Sequence, residues 1–233
     1  MNSIQKRLLI IYLPLTILIL ILDHMYPDAK MVLRLKYAIM ITLFLSSVIV
    51  SKKFLEQKIM ALSLFFLVIG DFFLVFYYTL DFKIDLSPIG AAGFLCAYIC
   101  LIIAYQKNFK IGIKEITAGI LMLAILLYIF FSLSPYVHGV ILAGSLIFSL
   151  VLSYMTWTGI CTLFRGYFTR KVSKLIAISS ILMFICDMGV AFSKFYPIYS
   201  KSFIPWLQNI IWAAYIPGWT LLVVVIADNI LLL

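Results

Sequence analysis

Histidine is almost missing from this 233-residue chain, which contains only His24 and His138. Zinc catalysis normally needs three protein ligands, and both histidines fall in connections between apolar runs, so a multi-histidine metal hydrolase is excluded. Cysteine is scarce too: Cys96, Cys100, Cys161 and Cys186 lie within or at the ends of apolar runs. Cys96 and Cys100 stand four apart on one helix, a spacing zinc can use, yet small apolar packing residues are the better reading of all four. There is no glycine-rich phosphate loop, no nucleophile elbow and no His-Glu metalloprotease pattern. The last apolar run has no lysine, since Lys194 and Lys201 precede it, which removes a retinal Schiff base. No metal and no cofactor is expected.

Charge is the other shortage, at 12% of residues against 65% hydrophobic, with a mean hydropathy of +1.17. That balance lies far outside soluble domains and marks an integral membrane protein. Runs long enough to cross a hydrocarbon core of about 30 Å are Leu8–Leu22, Leu35–Val50, Ile59–Leu80, Ser87–Tyr105, Ile113–Ser132, Tyr136–Trp157, Ser173–Phe192 and Pro205–Ala227. The expected fold is an all-α bundle of eight transmembrane helices, a single polytopic membrane domain over residues 1–233. The first two runs are short, separated by the charged connections Asp23 to Lys36 and Lys52 to Lys58. The first run has no small-residue cleavage pattern behind it and reads as a retained helix, not a signal peptide.

Lysines and arginines in alternate connections sum to 12 and 6. The richer set includes both termini, so the positive-inside rule places both in the cytoplasm. The net charge of +9 then reflects topology and contact of cytoplasmic loops with anionic lipid, and no interleaved basic and aromatic surface suggests nucleic acid.

Two acids stand alone in this apolar setting: Asp71 inside the third run and Asp187 inside the seventh. A carboxylate at bilayer depth costs roughly 2.5 to 3.5 kcal/mol even on lenient scales and faces a bundle interior or wet cavity. Helical spacing puts Leu67, Asp71, Leu74 and Tyr78 on one face, and Ser180, Phe184, Asp187, Ala191 and Lys194 on another. Both helices run outward, with Asp71 near the midplane and Asp187 somewhat beyond it, so one shared site is permitted. The plainer roles are packing glue, with Asp71 bonded to Tyr98, and a snorkelled pair of Asp187 with Lys194. Further polar candidates for substrate binding are Tyr98, Tyr78, Asn209 and Tyr215. For Tyr98 and Tyr215 interior packing is an equal reading, and Gln208 and Asn209 also suit interfacial water.

The run Gly70-Asp71-Phe72-Phe73-Leu74, then Gly90 with Phe94 four residues later, then Phe184-Ile185-Cys186-Asp187 resembles the YhhN-like family of eight-helix lysoplasmalogenases. These segments cover most of the chain from the third run onward. The resemblance implies hydrolysis of the vinyl ether bond of lysoplasmalogens to a fatty aldehyde and a glycerophospho-alcohol, with Asp71 and Asp187 as the catalytic pair. The family usually has a histidine where this chain has Tyr98, a serine where it has Cys186, and a glutamine in the last span near Tyr215 to Trp219.

Two buried carboxyls suit that chemistry. Vinyl ethers hydrolyse by protonation of the outer alkene carbon and capture of the resulting oxocarbenium ion by water, so one acid starts protonated and its partner charged. Phe- and Leu-rich walls would hold the alkenyl chain of a lysophospholipid lying in the bilayer, and a wetter outer end would take its headgroup. Intramembrane acids also serve proton- or ion-coupled transport and non-catalytic lipid binding, and the sequence shows no internal repeat or matched helix break that would put transport first. A chain of this shape fits a bacterial inner membrane.

Overall fold

The fold turns on how eight apolar helices satisfy their polar ends and the few charges they carry. The computed structural model describes residues 1–80, 84–201 and 203–233. Among these, the helices are α1 (Ser3–Met25), α2 (Lys30–Ile49), α3 (Leu55–Asp71), α4 (Ser87–Tyr105), α5 (Ile113–Leu133), α6 (Gly139–Arg165), α7 (Arg170–Phe195) and α8 (Pro205–Ile226). Each of the eight, with the turns that continue α3 and α5, is long and apolar enough to cross a membrane. The protein is therefore an all-α, multi-pass membrane protein. Helix α8 is its centre, with 72% of its most apolar stretch buried against 17% for α5, and it packs on α1, α2, α3 and α7.

Helix ends leave backbone groups that side chains must satisfy. At the start of α1, Asn2 and Gln5 form a reciprocal capping box, and the Asn2 amide donates to the Ala227 carbonyl at 2.7 Å. At the end of α8, Gln57 donates to the carbonyls of Ile226 and Asp228 at 2.9 and 2.8 Å. Gln5 reaches the Val224 carbonyl at 2.9 Å. These bonds bring both termini to one face, hereafter the terminal face; the α1–α2 and α7–α8 connections lie on the opposite face.

Three expectations from the sequence are revised. Helices α1 and α2 have 23 and 20 residues, so Asp23 and Lys36 do not belong to a charged connection. Both sit inside helices and form an ion pair at 2.7 Å, each only 2% exposed; mutual neutralisation lets them enter the bundle. Helix α6 continues past Trp157 to Arg165 for the same reason, because the Arg165 guanidinium donates to Glu115 at 2.7 Å and lies against the rings of Phe109 and Trp157. Finally, α3 leaves α geometry directly after Asp71, through a π turn over Phe72–Phe76 and a 3-10 turn over Tyr77–Leu80. The extra residue per turn shifts the register, so Tyr78 does not continue the face that carries Asp71. Lys83, counted in the charge balance above, lies outside the described residues.

Glycines set a close contact between α3 and α4. A Cβ on Gly93 would lie 2.9 Å from the backbone nitrogen of Gly70 and 3.1 Å from the Phe66 carbonyl, so α3 and α4 meet backbone to backbone. Gly70 and Gly90 flank the same crossing, and the Phe94 ring occupies the space against Gly70. Small residues permit such an approach in lipid, where van der Waals contact drives helix association. The consequence is positional: Asp71 and Tyr98, on two different helices, are drawn into one cluster.

Candidate active site

Asp71 ends α3 and is buried, 2% exposed. The Tyr215 hydroxyl, from α8, lies 2.7 Å from each of its two carboxyl oxygens, so one O–H spans the whole carboxyl group. Asp187, on α7, is half-buried, and the Tyr98 hydroxyl from α4 donates to its Oδ2 at 2.5 Å. The two acids lie within electrostatic range of each other. The buried Cys186 thiol is within range of both.

The two Tyr–Asp pairs share walls. Phe94 packs against Tyr98 and Tyr215 with ring centroids 6.2 Å away in each case. Trp219 stacks on Tyr98 at 6.3 Å and 13°, and meets Tyr215 edge to face at 6.4 Å. Its indole N–H is buried without a partner, an unusual state for a donor that costs energy to leave unbonded. Phe148 of α6 closes the cluster against Tyr98 at 5.9 Å. The cluster sets two carboxyls, two phenols and one unbonded N–H against apolar rings, a set equipped to exchange a proton.

The partners differ from those expected. Asp71 takes Tyr215 and not Tyr98, and Asp187 takes Tyr98 and not Lys194, which lies instead within electrostatic range of Asp85. Tyr98 and Tyr215 thus join the acids. Tyr78 is 50% exposed and hydrogen-bonds Asp85 at 3.5 Å. Asn209 is half-buried near the start of α8 with its Oδ1 unbonded, six residues and about 9 Å along the axis from Tyr215. The sequence pointed to no role for Trp219, and it marked Phe94 and Cys186 as motif positions, with Cys186 read as a packing residue. An aromatic within an apolar helix looks like core, and only the unbonded indole N–H separates Trp219 from it. Among the described residues, no three His, Cys, Asp or Glu side chains come together as a metal site.

A protein-family model, that of the YhhN family, matches residues 6–226. The chain belongs to the YhhN family. The match runs from α1 to α8, so the YhhN unit includes the first two helices, which carry none of the motifs that suggested it. No curated protein and no solved structure matches the chain. In this YhhN protein the Gly-Asp motif has a structural reason, since Gly70 lets α4 approach and the next residue projects the acid. Gly90 and Phe94 complete the same crossing, and Asp187 arrives from α7 to face it.

Proposed function

We propose that this YhhN protein is a membrane-embedded hydrolase that cleaves the vinyl ether bond of lysoplasmalogens, releasing a fatty aldehyde and a glycerophospho-alcohol. The observation that carries the reading is the pairing of two intramembrane carboxyls, each bonded to a tyrosine, inside one aromatic box. Asp187 has only Oδ2 bonded to Tyr98 and is half-buried, while the two oxygens of buried Asp71 share the Tyr215 hydroxyl. One acid of such a pair holds the proton and the other stays charged.

The proton passes from the protonated acid of the pair to the outer alkene carbon, and the ether oxygen and inner carbon share the positive charge of an oxocarbenium ion. The partner carboxylate stabilises that cation. Water adds to the inner carbon and returns a proton to the carboxylate. The hemiacetal then breaks its bond to the glyceryl oxygen, which takes up a proton as the alcohol leaves and the aldehyde forms. The Trp219 N–H is a donor for the water or the leaving oxygen. With the terminal face in the cytoplasm, as the basic connections suggest, the substrate headgroup enters from the opposite leaflet, and the Lys- and Arg-rich loops lie against anionic lipid.

Ion-coupled transport from the same acids receives less support. The break after Asp71 in α3 has no counterpart in α7, which is continuous over Arg170–Phe195, whereas transporter repeats break in corresponding positions. The test is mass spectrometry of the products formed from alkenyl lysophospholipid by purified protein in deuterated water. Aldehyde with one deuterium at the carbon next to the carbonyl supports the proposal. No aldehyde from folded protein overturns it.

A further inference from the structure

Arg165, where α6 ends at the terminal face, is a buried cation with unused donors. Its Nε donates to Glu115 Oε1 at 2.7 Å, and its side chain is 1% exposed. Nη1 and Nη2 are buried with no hydrogen-bond partner, so most of the N–H bonds of the guanidinium are left over. Glu115 is already engaged: its Oε2 accepts the Gly112 N–H at 3.1 Å in the cap of α5, and its carbonyl accepts the Trp157 indole N–H at 2.9 Å. The rings of Phe109 and Trp157 lie 5.2 and 5.5 Å from the guanidinium carbon. An aromatic face attracts the charge but is a poor substitute for an acceptor oxygen, and buried donors without one are costly.

The chain that carries Phe109 shows what the donors would meet. From the α4–α5 connection into the first turn of α5, Phe109-Lys110-Ile111-Gly112-Ile113-Lys114 mixes apolar and basic side chains, and every one of these residues is exposed. Exposed Phe and Ile beside lysines are what a segment presents at the boundary between lipid headgroups and acyl chains. Lys114 Nζ lies 5.7 Å from the ring of Phe164, the residue before Arg165. Lys107 is engaged elsewhere, with Glu56 at 3.4 Å. Arg165, Lys110 and Lys114 outnumber Glu115, so the local charge is positive. Trp157 is fixed by its N–H bond, whereas Phe109 is exposed on a loop after Asn108, whose φ of 48° is left-handed. Phe109 is therefore the side chain that yields to a ligand.

We propose that Arg165, Lys110 and Lys114 form a binding site for the phosphate of an anionic phospholipid in the leaflet at the terminal face. A phosphate diester presents oxygens in the geometry that a planar guanidinium takes in pairs, here through Nη1 and Nη2, and such bonds are charge-assisted. Lys110 and Lys114 act on the same phosphate as point charges. The acyl chains run beside Ile111 and Ile113 and along α5, whose most apolar stretch is only 17% buried. A zwitterionic headgroup adds a cation that both lysines repel, and a glyceride without phosphate offers no oxyanion. Basic pockets between membrane helices bind anionic headgroups in this way. The site is separate from Asp71 and Asp187 and does not depend on the chemistry of that pair.

Binding is measured by native mass spectrometry of the full-length protein in neutral detergent, titrated with dioleoylphosphatidylglycerol, dioleoylphosphatidylcholine or dioleoylglycerol. One phosphatidylglycerol is expected to bind about tenfold or more tightly than either of the others. Lys110→Gln with Lys114→Gln, both at exposed positions, removes part of that preference. Because Arg165→Met alone strands a buried acid, Glu115→Leu with Arg165→Met is the paired variant, and it abolishes the preference while its thermal transition shows it folded. Lys53→Gln with Lys58→Gln, also exposed and at the start of α3 on the same face, leaves it intact. Equal binding of the three lipids by the unmodified protein, a preference undiminished in both site variants, or one lost equally in the Lys53 and Lys58 variant overturns the site. An excess of inorganic phosphate is expected not to displace the lipid. Its displacement by that ion would show a site for free phosphate and overturn the lipid assignment.

Discussion

The Tyr98 hydroxyl on α4 donates to Oδ2 of Asp187 on α7 at 2.5 Å, while the same ring stacks within 13° of parallel on Trp219. One side chain therefore orients one of the two proposed catalytic acids and forms the wall beside it. Tyr98→Phe keeps the stack and removes the O–H. Its kcat for vinyl ether hydrolysis is expected to fall by about ten- to a hundredfold, with little change in KM. Tyr98→His retains an N–H donor and recovers part of that loss. Steady-state kinetics on both variants decides, and unchanged kcat in Tyr98→Phe would show that the bond has no role in turnover.

The α3–α4 crossing tolerates no methyl group at Gly93, because all three nearest atoms to its Cβ position are backbone, at 2.9 to 3.1 Å. Gly93→Ala should destabilise the protein by about 1 to 3 kcal/mol and reduce turnover further by moving Asp71 away from Asp187. Gly144, exposed within α6 and with nothing within 4 Å of its Cβ position, is the control: Gly144→Ala does not destabilise the protein and leaves turnover unchanged. Thermal unfolding in detergent compares the two.

Arg165 and Glu115 are 1% and 5% exposed at the side chain, and two guanidinium nitrogens are buried without partners. Removing only the acid, as Glu115→Leu, strands the cation and should cost about 3 to 5 kcal/mol. Glu115→Leu combined with Arg165→Met should regain most of this, since an apolar pair replaces an ion pair whose desolvation was costly. A double variant no more stable than the single would contradict this pairing as the cause.

At the terminal face, the Asp228 carboxyl lies below its ordinary value. Burial alone would raise it, but the Lys171 ammonium at 2.6 Å, the Gln5 amide and the Ile230 N–H outweigh that effect. A depressed folded-state value means that the stabilisation is complete above the unfolded value of about 3.9 and is lost as pH falls through the folded one. With Lys171 42% exposed, the effect is about 1 kcal/mol or less. Hydrogen exchange at the Thr169 and Leu233 amides, which bond Leu231 and Tyr167, should quicken relative to α8 below about pH 4. In Asp228→Asn this pH step should disappear.

Much of this molecule is legible in its sequence where one physical cost dominates. Burial of a carboxylate in lipid singles out Asp71 and Asp187, and apolar length gives eight spans, with Ser87–Tyr105 matching α4 at both ends. Legibility fails where two residues far apart cancel each other's cost. Asp23 and Lys36 look like loop charges until each is seen to neutralise the other, and Arg165 ends a longer α6 only because Glu115 awaits it. The exchange of tyrosine partners follows from which helices neighbour each other, and hydropathy does not report that. Trp219 is silent for a different reason, since an aromatic that lines a site and one that fills a core have the same apolar signature.

The central claim is that Asp71 and Asp187 together perform the hydrolysis. Fatty aldehyde released from alkenyl lysophospholipid is measured for the purified protein, Asp71→Asn and Asp187→Asn, each shown to be folded by its thermal transition. Aldehyde from the unmodified protein and its loss in both variants is the expected result. Full aldehyde release by either variant would contradict the two-acid mechanism.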